Sequence, residues 1–156
     1  MPSLHRLALT AAAALTAVAL IAGCDTVEQP AITQQQAVER VAARAQEALK
    51  QLPQGATLKI QRDEPEMPCD DGPRTFVETD YIVDYPKGWP VERTIPTLAD
   101  FWARNGYTIV KDDRASDKLP ALGVEHPDDG FRILIRLTYR DNGRIDAFLI
   151  SSSPCL

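Results

Sequence analysis

The chain has 156 residues, with 17 basic and 22 acidic side chains and a formal charge of −5. That length allows one sizeable core and leaves no room for two. An acidic chain of this kind is repelled by phosphate backbones and by anionic lipid head groups, so neither nucleic acid nor a basic-patch membrane contact is expected.

Read from the amino end, the first segment is an export leader. After a short start with one cation, Arg6, the run Leu7 to Ile21 holds only Leu, Ala, Thr, Val and Ile. This apolar stretch of roughly 15 residues fits a signal peptide. A bilayer-crossing helix needs about 20. The run closes on Leu20-Ile21-Ala22-Gly23-Cys24, where small residues give a peptidase access to the backbone and a thiol offers itself for alkylation. These residues resemble the lipobox of bacterial lipoproteins. The resemblance implies residues 1–23 as a signal peptide, cleavage before Cys24, a diacylglyceryl thioether on that cysteine, and usually a third acyl chain such as palmitate on the new amino terminus. Each buried methylene contributes about 0.8 kcal/mol, so two or three chains exceed what a single chain provides and give a permanent anchor. The expected location is the extracytoplasmic side of the cell membrane, lipid-anchored and reached by the general secretory route, since no twin-arginine pair precedes the apolar run. Cleavage removes Arg6 and no acid, which leaves the mature chain more acidic still.

Lipid on Cys24 leaves two thiols, Cys69 and Cys155, in a compartment that permits oxidation. They are expected to form a disulfide. It would close a loop of about 87 residues, worth about 4.5 kcal/mol on a chain-entropy account. Neither lies in a Cys-x-x-Cys pair, so thiol redox catalysis has no support.

Residues 24–32 read as a lipidated polar tether and residues 33–156 as a single domain. Thr33-Gln34-Gln35-Gln36 forms a capping box, and Val38, Val41, Ala42, Ala45, Leu49 and Leu52 recur at helical spacing until Pro53 and Gly55 end the helix. A short strand over 57–61 leads into an acidic, proline-rich loop, Asp63 to Pro73, that carries Cys69. From Phe76 to Tyr85 the pattern alternates, Val77, Tyr81, Val83 and Tyr85 against Glu78, Asp80 and Asp84, which predicts a half-buried strand. The acidic row is expected to pair with Arg132 and Arg136 on another strand. After a turn at Pro86–Pro90, a second helix runs from about Pro96 to Asn105, with Leu98, Phe101 and Trp102 inward and Gly106 as its cap. Strands at 107–111, 119–125, 131–139 and 144–152 follow. Pro127-Asp128-Asp129-Gly130 and Asp141-Asn142-Gly143 are turn sequences, so the last three strands should form an antiparallel meander. The fold class is therefore α+β, an antiparallel sheet of about six strands with two helices in the order α-β-β-α-β-β-β-β.

The helix ending Leu49-Lys50-Gln51-Leu52-Pro53, the mid-chain Cys69, Asn105-Gly106-Tyr107 at a helix exit, Asp129-Gly130-Phe131 opening a strand and Cys155 at the end of the last strand are similar to the LppA-like group of small two-cysteine actinobacterial lipoproteins, over most of residues 35–156. The resemblance implies an envelope protein and supplies no catalytic residues.

Groups able to carry chemistry are few. His126 is the one histidine outside the leader, and with Asp128 and Asp129 it falls short of the four close-set ligands of a structural zinc site; it reads as a solvated histidine beside a turn. No Gly-x-Ser-x-Gly turn is present for a serine nucleophile, and Ser151, Ser152 and Ser153 read as a strand end. No carboxylate pair stands out for glycoside hydrolysis. Asp63, Glu64, Glu66, Asp70 and Asp71 lack the alternate ligands of a calcium loop and read as a solvated face. No metal, cofactor or catalytic residue is expected. In the last two strands Leu134, Phe148 and Ile150 lie on the face opposite Ile133, Ile135, Ala147 and Leu149, so both faces carry apolar groups. If the helices cover one face only, those three form an exposed patch, the usual mark of binding. The expected activity is a non-enzymatic binding or scaffolding module with an envelope protein partner, or else a carrier that holds an apolar ligand between sheet and helices.

Overall fold

The computed structural model describes residues 32–70 and 72–156; the leader, Cys24, the tether as far as residue 31, and Asp71 lie outside the described residues. The elements in chain order are α1 (Gln34–Leu49), β1 (Thr57–Pro68), β2 (Thr75–Asp84), a 3-10 turn (Val91–Arg93), α2 (Thr94–Arg104), β3 (Thr108–Asp112), β4 (Ala121–Glu125), β5 (Arg132–Tyr139) and β6 (Ile145–Ser152). The fold is α+β, with one sheet in the order β1-β2-β6-β5-β4-β3 and every neighbouring pair antiparallel. β1 and β2 form a hairpin. Helix α2 then carries the chain to the far edge, and β3 to β6 return as a meander that ends beside β2. The predicted meander thus includes β3 as well.

Helix α1 starts where the capping box requires it: Thr33 Oγ1 accepts from the Gln36 N–H at 3.2 Å and Gln36 Oε1 accepts from the Thr33 N–H at 2.9 Å. It packs across β2 and β6 through Ala37, Val41, Ala45 and Ala48, which are closed to solvent, while Ala42 faces out. Small side chains bring the helix axis close to the sheet, close enough for Ser151 Oγ to donate to the Val41 carbonyl at 2.9 Å. Ile32, read as the last residue of the tether, packs against the cluster of Ala37, Val41, Val77 and Phe131, so the packed domain begins one residue earlier than expected. Helix α2 begins at Thr94, two residues ahead of Pro96. The 3-10 turn positions Thr94, whose hydroxyl donates to the Val91 carbonyl and is bonded to the Tyr85 hydroxyl, both at 2.7 Å. Pro96 then stands third, where its missing N–H is still one of the four without an intrahelical acceptor. Ile95, Leu98, Phe101 and Trp102 join Tyr81, Val83, Leu122, Ile133, Ile135 and Leu149 in the main core. Gly106, at φ +74°, ends the helix in the left-handed conformation.

Both helices therefore lie on one face. The stretch read as an acidic loop from Asp63 is mostly strand: β1 continues to Pro68, with register shifts between Ile60 and Arg62 and between Glu64 and Met67. An outermost strand tolerates this composition. Its outer N–H groups have no ladder partner, so Pro65 and Pro68 remove nothing essential, and alternating charges protect the edge from further pairing. At the other end of the sheet, β4 begins at Ala121 and Leu119 is left outside the strand and exposed.

Candidate functional site

Register aligns the helix-free face into three rows that cross the sheet. The middle row reads Arg62, Asp80, Ile150, Leu134, Gly123, Lys111. Toward the Cys155 end lies Glu64, Glu78, Ser152, Arg132, Glu125, Thr108. On the other side lies Lys59, Ile82, Phe148, Arg136, Ala121. Side chains directly opposite each other across an antiparallel ladder share a face, so each row is continuous. The predicted patch is assembled here with a difference. Leu134 and Ile150 are half-buried, but Phe148 is only 9% exposed because the Arg136 guanidinium lies 5.3 Å above its ring.

Residues of the first two rows line a groove of about 830 Å³, floored by Leu134, Ile150 and Gly123 and continued by Met67, Phe76 and Val110. Gly123 has ordinary backbone angles; its role is room. A Cβ there would meet Lys111 Cβ at 3.0 Å and Leu134 Cδ1 at 3.3 Å. Neither Gly123 nor Val110 was legible as a site residue, since only the register places Gly123 beside Leu134 and only the irregularity between Ile109 and Lys111 brings Val110 to the groove. One wall is the disulfide, Cys69 to Cys155, whose Cα atoms are 6.2 Å apart. It joins the end of β1 to the segment after β6, as the cysteine count predicts. Backbone bonds hold the same segment, from Ser153 N to Val77 O at 2.9 Å and from Leu156 N to Thr75 O at 2.8 Å.

The charged rim is paired differently from the expectation. Arg62 of β1 reaches Glu78 at 2.9 Å and Asp80 at 3.0 Å, and Lys59 reaches Asp84 at 2.6 Å. Arg132 instead pairs with Glu125 of β4 at 2.8 Å. The reason is strand order, because β6 separates β2 from β5 and puts Arg132 and Arg136 two strand spacings away, about 10 Å. Burial raises the Glu78 carboxyl above its usual range and neighbouring Asp80 adds to this, while Arg62 opposes.

His126 is not a solvated turn residue. Its side chain is 15% exposed and meets Tyr107 edge-on at 5.0 Å; Nδ1 lies 3.1 Å from Asp129 and accepts from the Asp128 N–H at 3.3 Å. Asp129 also accepts from Arg44 of α1 at 2.8 Å, and Arg44 reaches Glu47, which accepts from the Tyr107 hydroxyl at 3.1 Å. The network fastens α1 to the β4–β5 turn. Burial works against ionised Asp129, but hydrogen bonds from Arg44 and the Phe131 N–H outweigh it and hold the carboxyl below its usual range. No group of three metal-ligating side chains occurs among the described residues. Burial drives Tyr107 up to about 12, helped by Glu47 and opposed by Arg44, and drives Tyr85 to about 12 against its bond to Thr94. Both folded values exceed the ordinary 10.0, so this contribution to stability is complete below pH 10 and is lost as pH rises through about 12. A spectrophotometric tyrosinate titration of the folded chain should show two late phenols, and denaturation midpoints should fall across that window.

A second cavity, about 520 Å³, lies between α2 and the β3–β4 connection, lined by Ile95, Pro96, Ala99, Arg114 and Tyr139 among others. Arg114 there is held by Asp112 at 2.6 Å. The groove on the open face is larger and contains two of the three residues of the predicted patch. No known protein family, curated protein or solved structure matches the chain.

Proposed function

We propose that the chain is a lipid-anchored, extracytoplasmic, non-enzymatic binding module of the cell envelope, and that it binds through the helix-free face of its sheet. The observation that carries this reading is the cross-sheet run Ile150-Leu134-Gly123, which floors an 830 Å³ groove that no described element covers. Partly exposed apolar side chains in a concave surface with a paired charged rim have the composition of a recognition site. The anchor rests on Ile21-Ala22-Gly23-Cys24 and holds the module at the membrane surface. A carrier of an apolar ligand is the second reading, favoured by a groove volume within the roughly 300–1,000 Å³ of small-molecule sites. Contrary to the expectation, its ligand would lie on the open face, away from the helices.

Replacing Leu134 and Ile150 together by Glu puts charge at partly buried positions, so a loss of stability of about 1–3 kcal/mol is expected and binding is compared at a temperature where both chains are folded. The same change should abolish recovery of whatever occupies the groove when the chain is purified gently from its own envelope. Native mass spectrometry reads the result. Extra mass on the unaltered chain that is missing from the variant identifies a carried molecule. Equal occupancy of both chains rejects the open face as the binding site.

A further inference from the structure

We infer that the groove takes one acyl chain of a lipid from the membrane that holds the anchor, an inference that rests on the binding reading above. Three observations converge on it. The first is where the tether leaves the domain. Gln34, in the first turn of α1, donates to the Pro65 carbonyl at 2.8 Å and to Glu66 at 3.3 Å, and Ile32 and Leu156 pack against the same small cluster of Ala37, Val41, Val77 and Phe131. The groove ends among Met67, Pro68, Phe76 and Pro154, next to those contacts. Its apolar mouth and the exit of the tether therefore share one end of the sheet.

The second is reach. The covalent path from Cys24 to Ile32 spans at most about 28 Å when fully extended, about the thickness of one hydrocarbon core. An anchor on Cys24 thus keeps Ile32, at the same end of the sheet as the mouth, within that distance of the membrane surface.

The third is the chemistry of the face. From the level of Phe76 to that of Ile150 the groove runs about 13 Å along the strands, long enough for the greater part of one acyl chain. The backbone groups beneath it are used in the ladders between β2, β6, β5 and β4. An extended peptide lying there would have to leave its own N–H and C=O groups without partners, which is costly. An acyl chain has none to satisfy. In the polar row that it must cross, the central residue is Ser152, small and uncharged, with Glu78 and Arg132 to either side. A hydrocarbon chain can pass along β6 over Ser152 to reach Leu134 and Ile150.

The full chain, purified with its anchor, is placed in vesicles of phosphatidylglycerol and phosphatidylethanolamine doped with a diazirine-acyl phosphatidylglycerol. After irradiation, adducts are mapped by peptide mass spectrometry. The expected adducts fall on Met67, Phe76, Leu134 and Ile150, and drop by about tenfold or more in Leu134→Glu/Ile150→Glu and in Ser152→Phe, read at a temperature where melting curves show each variant folded. Adducts confined to α1 or α2, adducts undiminished in both variants, or a crosslinked protein in place of lipid would overturn the inference. A chain that fails to enter vesicles sinks the anchor reading instead. The same probe in lipid–detergent micelles then decides for or against the acyl-chain site by itself.

Discussion

Residues 25–156, exported behind a leader cut by an ordinary signal peptidase, are expected to appear wholly in the soluble fraction, whereas the native chain stays with the membrane through high-salt washing. The reasoning begins with charge. The chain carries a formal −5 in full and loses a cation with the leader, so the surface of an anionic bilayer repels it and salt has no attraction to screen. Among the described residues no helix is long and apolar enough to cross a membrane. The proposed attachment is lipid on Cys24. With about 0.8 kcal/mol per buried methylene, one acyl chain gives marginal and reversible binding, and two or three bind without measurable release. The effect of removing them is therefore nearly complete. Intact-mass measurement of the native chain should show cleavage before Cys24 and added diacylglyceryl mass on that residue. An unmodified Cys24 in a chain that still pellets with membranes would sink the anchor reading and with it the tether geometry invoked for the groove.

The sheet's composition and the pairing of its last three strands were legible in the sequence, and the position of β1 and β2 beside β6 was not. Strict alternation in Phe76–Tyr85 and in the last two strands identifies which residues face the core, because successive side chains leave opposite faces of a strand. Leu134 and Ile150 were visible on those grounds alone, and both line the groove. Strand order is a long-range property. Nothing local in Glu78 or Arg132 tells that β6 lies between them, and so the acidic row was assigned the wrong cations. The stretch from Asp63 to Pro68 misled for a related reason: acids and prolines mark a loop in the interior of a fold, yet suit a sheet edge. His126 was legible as a turn neighbour. Its burial depends on Tyr107 and on α1, which only folding brings to it. Phe148 was placed on the correct face, but its shielding by Arg136 is a cross-strand effect that needs the register.

Replacing Cys69 and Cys155 together by Ser should lower the unfolding free energy by about 3–4.5 kcal/mol, the upper figure being the chain-entropy value for a loop of this length. The sequence separation is 86 residues, more than half the chain, so the bond restricts the unfolded ensemble strongly. The folded state should change little. Ser153 N to Val77 O, Ser153 Oγ accepting from the Val77 N–H, and Leu156 N to Thr75 O already hold the C-terminal segment against β2. The expected signature in urea is therefore a lower midpoint together with a steeper dependence on denaturant, because the unlinked unfolded chain exposes more surface. Two consequences separate this from an ordinary loss of packing. Core truncation, such as Leu149→Ala, should cost a comparable amount, about 2–5 kcal/mol, without steepening the transition. The disulfide also walls the groove beside Met67 and Phe76, but the backbone bonds at Ser153 and Leu156 hold that wall, so without the disulfide the groove should keep its occupant while the chain is folded and lose it only on unfolding. If the double Ser variant is as stable as the native chain but no longer binds, the bond would be a groove component and not a staple, and the backbone contacts around Ser153 would carry the C-terminal segment alone.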